Sequence, residues 1–133
     1  VATFLDTVYL LALINPNDGW RPKALEWAAR ISGALVTTEA VLTEVADALC
    51  RSAHRRWAVE AIRDLRSDPT VRCVPGSAKL FAQGLDLYAD RGDKDWSLTD
   101  CLSFTVMREQ RIDQALTADI HFVQAGFRAL LRE

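Results

Sequence analysis

Four acids in this chain have the type and placing to do chemistry: Asp6, Glu44, Asp100 and Asp119. Asp6 closes the short apolar run Val1-Ala2-Thr3-Phe4-Leu5, and Asp119 follows almost at once on Gln114-Ala115-Leu116-Thr117. A charge where a buried strand ends is costly unless it is paired or put to use. Glu44 has apolar neighbours at Val41, Val45 and Ala48. It therefore lies on or beside the core-facing stripe of a helix, where a glutamate is seldom found without a partner. Asp100 stands three residues after Ser97 at a helix start. Each acid also has a plain structural reading. Asp6 and Asp119 can cap the helices that follow them. Glu44 can reach solvent or Arg51 from the margin of its stripe. Ser97-x-x-Asp100 resembles a capping box. A cap can double as a ligand, so the readings are compatible. Gathered in one place, four carboxylates raise one another's pKa, which predicts either bound cations or partly protonated acids. An all-oxygen set of this kind suits Mg²⁺ or Mn²⁺ and not zinc. Glu39, in a first helical turn, is explained by the helix dipole, and Asp95 by solvation in a polar loop.

The elements that must position these acids alternate. Short β-prone runs end near Leu5, Thr37, Val74 and Thr117. Helical patterns lie between them, over about 7–14, 22–31, 38–50, 54–66, 78–90, 97–110 and 120–124. Ala24, Ala28 and Ile31 share one helix face, with Gly33 as the expected stop. Residues 127–131 read as a last strand or a helix. Strands alternating with helices imply an α/β fold whose parallel sheet is covered on both faces. Strand ends then collect at one edge, where open parallel sheets bind their ligands.

With 133 residues and no linker, repeat or low-complexity stretch, residues 1–133 are expected to form a single domain. Half of the residues are hydrophobic and 26% are charged, an ordinary globular balance. No run reaches the ~18 apolar residues of a membrane span. The apolar start carries no basic leader or cleavage site of a signal peptide. Cys50, Cys73 and Cys101 are odd in number and widely spaced. They read as small core residues in a cytoplasmic protein, not as a disulfide framework or a zinc site. A net charge of −2 argues against nucleic-acid binding through a broad basic surface. It leaves room for an enzyme whose bound cations supply the positive charge locally.

These residues resemble a known family. Phe4-Leu5-Asp6-Thr7, Thr43-Glu44-Val45, Ser97-Leu98-Thr99-Asp100 and Leu116-Thr117-Ala118-Asp119-Ile120-His121-Phe122 are similar, in order and spacing, to the four acidic motifs of PIN domains. The compact size resembles the VapC toxins of that family. The resemblance implies a three-layer α/β/α sandwich of four to five parallel strands in the order 3-2-1-4-5. It implies an Mg²⁺- or Mn²⁺-dependent endoribonuclease, with Asp6, Glu44, Asp100 and Asp119 holding the metal. Thr7 and Thr117 would orient those carboxylates from behind. It also implies an RNA substrate, an antitoxin partner and a homodimer. His121 reads as a packing or surface residue, and His54 as an exposed helix start. Arg55, Arg56, Lys94 and Arg108 are candidates for phosphate contact. Trp20 and Trp96 are loop or helix-start aromatics that read first as partly buried against a helix and otherwise as candidates for base stacking.

Two rival readings use the same fold. A non-catalytic RNA-binding or protein-interaction module is possible on any fold, but such a module would be free to lose its acids. A phosphoacceptor domain wants an aspartate after the third strand, where this chain has Val74-Pro75. The apolar positions Trp57, Ala58 and Ile62, and Phe81, Leu85 and Tyr88, read either as core or as a dimer face.

Overall fold

The computed structural model describes residues 1–133. In chain order the elements are β1 (Thr3–Leu5), α1 (Thr7–Ile14), α2 (Arg21–Arg30), β2 (Leu35–Thr38), α3 (Glu39–Ala48) and α4 (Arg55–Ser67). There follow β3 (Val71–Val74), α5 (Ala78–Asp90), α6 (Leu98–Glu109), β4 (Gln114–Leu116), α7 (Ile120–Gln124), β5 (Arg128–Ala129) and a 3₁₀ turn, Leu130–Arg132. All pairings are parallel, and the strand order is β3-β2-β1-β4-β5. Phe4 at the centre of β1 is in register with Val36 on one side and Ala115 on the other.

This order positions the site. The crossovers from β1 to β2 to β3 run one way across the sheet, and those from β3 to β4 to β5 run the other. Right-handed crossovers then put α1 to α4 on one face and α5 to α7 on the other, the expected α/β/α sandwich. The direction reverses between β1 and β4, so the crevice at their carboxyl ends is the switch point. Both strands end there in an acid or its neighbour: Asp6 follows β1, and Thr117 to Asp119 follow β4.

The strands are buried because both faces are covered. Phe4, Leu5, Val36, Ala115 and Leu116 all belong to one hydrophobic cluster. Helix starts are set by side chains: Thr38 accepts from the Val41 amide, and Ser77 from the Leu80 amide. The end of α1 lacks a basic residue of its own. Arg21 serves instead, its guanidinium donating to the carbonyls of Leu13 (2.6 Å) and Ala12 (3.4 Å). Gly84 lets α5 lie close on α6, since a Cβ there would stand 2.5 Å from Leu102 Cδ2.

Several local expectations are corrected. Helix α2 stops at Arg30, capped by Ile31. Gly33 instead turns the chain into β2 with φ +91°, and its α-carbon sits where a Cβ would strike the Val1 carbonyl. On α2 only Ala24 is buried, while Ala28 is exposed. Among the cysteines only Cys101 is a core residue, and Cys50 is exposed. His54 is half-buried and stacks on Trp57 at 4.8 Å. Ala58 and Ile62 pack into or against the core. Phe81, Leu85 and Tyr88 stay exposed, at 53%, 44% and 49%.

Candidate active site

Asp6 is only 4% exposed, at the end of the central strand. Its side chain does not cap α1. Instead Thr117 Oγ1 donates to Asp6 Oδ2 at 2.7 Å, across the switch point. The same hydroxyl accepts from the Asp119 amide at 3.0 Å. Thr117 thus links the first acid to the last. Burial pushes the Asp6 carboxyl up to about 7. The Thr117 hydroxyl and the Thr7 amide oppose that shift, and the charges of Asp100 and Asp119 add to it. Asp100 and Asp119 are thus near enough for their charges to act on Asp6.

Asp100 is buried in the first turn of α6. The capping box is present: Ser97 Oγ accepts from the Asp100 amide at 3.0 Å, and Asp100 Oδ2 accepts from the Ser97 amide at 3.1 Å. Burial raises this carboxyl too, against the pull of the Ser97 amide. Asp119 caps α7 by accepting from the His121 amide at 2.9 Å. For both residues the capping and pocket roles coincide, because a helix start at the carboxyl edge points its capping acid into the crevice.

Glu44 is half-buried on α3, where Thr7 Oγ1 donates to its Oε1 in a very short contact. Its predicted alternative partner, Arg51, does not appear among its contacts. Thr7 and Thr117 therefore each hold a different carboxylate. Glu39, by contrast, ties the start of α3 to the Gly76 amide after β3.

The loop after β4 is braced from behind. The Leu131 amide donates to the Thr117 carbonyl at 3.1 Å, and Arg132 donates to the Ala118 carbonyl at 3.0 Å. Aromatic packing fixes the two capped helices against each other. Phe104 of α6 meets Phe122 of α7 edge to face, at 4.9 Å between ring centroids.

One residue that the sequence reading set aside belongs here. His121 is neither packing nor plain surface: its Nδ1 lies 3.0 Å from Asp100 Oδ2 and 3.3 Å from Asp119 Oδ1. One donor atom from each of Asp100, Asp119 and His121 falls within 4.8 Å of the others. The available signal was its position, two residues after a capping acid, which turns a short-helix side chain back toward the cap. Asp6 and Glu44 are not members of this compact set. The donor set fits a hard divalent cation, with carboxylate oxygens in the majority and one imidazole.

Trp96 takes the buried reading, not the base-stacking one. It is 4% exposed, packs edge to face on Phe104 at 5.0 Å and donates to Gln124 at 3.0 Å. Trp20 is 40% exposed. Among the basic candidates, Arg56 pairs with Glu60, Arg55 donates to the Cys50 carbonyl, Lys94 sits 3.8 Å from Asp93, and Arg108 lies over the Phe127 ring.

A five-stranded parallel sheet with buried acids at its switch point defines an α/β protein built around an anionic crevice. Comparison with known proteins narrows this class. The PIN domain family model matches residues 3–128, and the chain belongs to that family. It is 32% identical over 124 residues to the 23S rRNA-specific endonuclease VapC20 of Mycobacterium tuberculosis, covering 93% of this chain and 94% of that relative. The crystal structure of that VapC20, described as a sarcin-ricin loop cleaving toxin, superposes with a TM-score of 0.87 at 30% identity over 96% of each chain. FitAcB from Neisseria gonorrhoeae shares the fold, with a TM-score of 0.66 at 15% identity over 97% of this chain and 95% of its own.

Proposed function

We propose that this chain is a metal-dependent endoribonuclease, the toxin of a toxin–antitoxin pair, with ribosomal RNA as its substrate class. The observation that carries the reading is the grouping of Asp6, Asp100 and Asp119 at the switch point of a PIN sheet, where Thr117 links Asp6 to Asp119 and His121 lies 3.0 Å and 3.3 Å from Asp100 and Asp119. Likeness to VapC20 over nearly the whole chain supports the RNA substrate and an antitoxin partner.

Asp6, Glu44, Asp100 and Asp119 are the proposed catalytic and metal-holding acids. When bound, Mg²⁺ or Mn²⁺ lowers the pKa of a water and offsets charge on the leaving oxygen. The chain's own part is orientation. Thr117 fixes the free oxygen of Asp6 relative to Asp119. Thr7 holds Glu44, and the capping amides hold Asp100 and Asp119. Few donors are then left to reorganise when a phosphodiester arrives. Trp20, Lys23 and Arg132 line a cleft of about 400 Å³, and Arg132 also grips the loop before Asp119. That cleft, which Glu133 also lines, offers an aromatic face and a net positive charge to an RNA strand leaving the crevice. The exposed face of Phe81, Leu85 and Tyr88 supports a homodimer.

The test is cleavage of ribosomal RNA and of a mixed single-stranded RNA, with Mg²⁺, with Mn²⁺ and with chelator. Wild type is expected to cut only with metal. Asp6→Asn and Asp100→Asn should each lose about 10²–10³-fold in rate, as loss of a preorganised charge in a dry site does. Thr117→Val should lose about 10-fold, since it removes only the orienting hydroxyl. Metal binding without turnover on any RNA would leave the non-catalytic module as the better reading. No helix is long and apolar enough to cross a membrane.

A further inference from the structure

We infer that His121 is a direct metal ligand through Nδ1, making the centre a mixed nitrogen–oxygen site that prefers Mn²⁺ to Mg²⁺. The inference rests on the metal-dependent reading above and deepens it. Two ligands about 2.1 Å from one cation, at right angles to each other, stand about 3.0 Å apart. The Nδ1 separations of 3.0 Å from Asp100 and 3.3 Å from Asp119 match that edge.

A simpler role would be a clamp that orients the two carboxylates. The structure already supplies those clamps from the backbone. Asp100 Oδ2 accepts from the Ser97 amide, and Asp119 Oδ1 from the amide of His121 itself. The backbone of His121 thus holds one acid in place, and its imidazole is free to be the third corner. Ligation through Nδ1 would require the neutral tautomer that carries its one hydrogen on Nε2, with Nδ1 offering its lone pair. Thr117 and Thr7 hold Asp6 and Glu44, and the three donors from two adjacent helix starts add a nitrogen to that carboxylate set.

An imidazole nitrogen changes which cation is favoured. Mg²⁺ takes oxygen ligands and dehydrates reluctantly, whereas first-row transition metals gain from nitrogen donors. The site should therefore hold Mn²⁺ more tightly than four carboxylates would.

The experiment uses the untagged full chain loaded with Mn²⁺. Electron spin-echo spectroscopy reads ¹⁴N coupled directly to the metal, and calorimetry reads Mn²⁺ and Mg²⁺ affinity. The chain has only two histidines, and His54 is stacked on Trp57 at the start of α4, so a nitrogen signal reports His121. In His121→Asn the amide nitrogen can still donate to Asp100 but cannot ligate. Wild type should show ¹⁴N modulation, and the variant should lose it. Mn²⁺ affinity should fall about 10-fold or more, with Mg²⁺ affinity changed far less. His121 is partly exposed, so the variant should keep the wild-type melting temperature. Absent modulation in wild type, with Mn²⁺ binding that Asp100→Asn abolishes, would overturn the inference and leave the metal reading standing. Unchanged Mn²⁺ affinity in His121→Asn would also overturn it. No Mn²⁺ binding at millimolar concentration would overturn both.

Discussion

Asp6 shows what the site costs the fold. Its carboxyl is buried at the end of the central strand, and burial raises it from 3.8 to about 7. Below about pH 4 the acid is protonated in folded and unfolded chains alike, and nothing is lost. Between there and pH 7 the unfolded chain releases the proton while the folded chain keeps it. Stability of the metal-free protein therefore falls as pH rises through this window, and the full penalty stands above it. Asp6→Asn keeps an acceptor for the Thr117 hydroxyl and removes the charge. It should raise the melting temperature in chelator at pH 7.5 by about 4–8 °C and change it little at pH 4. Added Mn²⁺ should narrow the gap, because it stabilises the charged wild type more than the variant. Thermal scans from pH 4 to 8 decide the matter. Parallel curves for the two proteins would mean that Asp6 titrates as an ordinary solvated acid.

At the scale of elements, the capped starts of α6 and α7 must meet for Asp100 to face His121. Their meeting is fixed below by rings: Phe104 touches Trp96, Phe122 and Phe127, and Phe122 also reaches Phe4 of β1. Phe122 is fully buried. Phe122→Ala should cost about 3–5 kcal/mol in urea unfolding and weaken Mn²⁺ binding in whatever protein stays folded. Phe122→Leu, which keeps most of the volume, should cost about 1 kcal/mol and spare the fold. Much of this architecture was legible in the sequence. Short apolar runs ending in acids gave away β1 and β4, and Ser77 and Ser97 marked their helices, because capping and burial act over a few residues. The family motifs carried the strand order, which local pattern alone does not contain. What local pattern missed was tertiary. Trp96 looked like a loop aromatic, but Phe104 and Gln124 claim it from other elements. His121 looked inert because its partner Asp100 is 21 residues away. On α2, one helix turn of alanines gave no sign that only Ala24 would be covered.

Taken whole, the molecule carries a net charge of −2 and concentrates acids at its crevice, so the proposed approach of RNA would draw on bound cations as well as on basic side chains. Helix α5 leaves Phe81, Leu85 and Tyr88 facing outward at i, i+4 and i+7, an apolar stripe along its length. The stripe runs toward the carboxyl edge of the sheet. There Phe81 borders a cavity of about 340 Å³ with Thr43 and Thr99, the residues before Glu44 and Asp100. A second copy meeting this stripe about a two-fold axis would bury it against itself and set the two crevices side by side. We expect sedimentation of the wild type to report a dimer. Leu85→Glu with Tyr88→Glu should shift it to monomer by weakening association at least ~30-fold, about 2 kcal/mol at the centre of an interface. Because both side chains are exposed in the single chain, the monomeric variant should unfold at a similar urea concentration once measured at low protein concentration. Its metal affinity should stay unchanged, since neither residue touches the acids. Cleavage of a small single-stranded RNA should then persist, while cleavage of a large folded RNA that spans both crevices should fall. A wild type that sediments as a monomer at micromolar concentration would remove the homodimer. The α5 stripe would then be left for a partner of another kind.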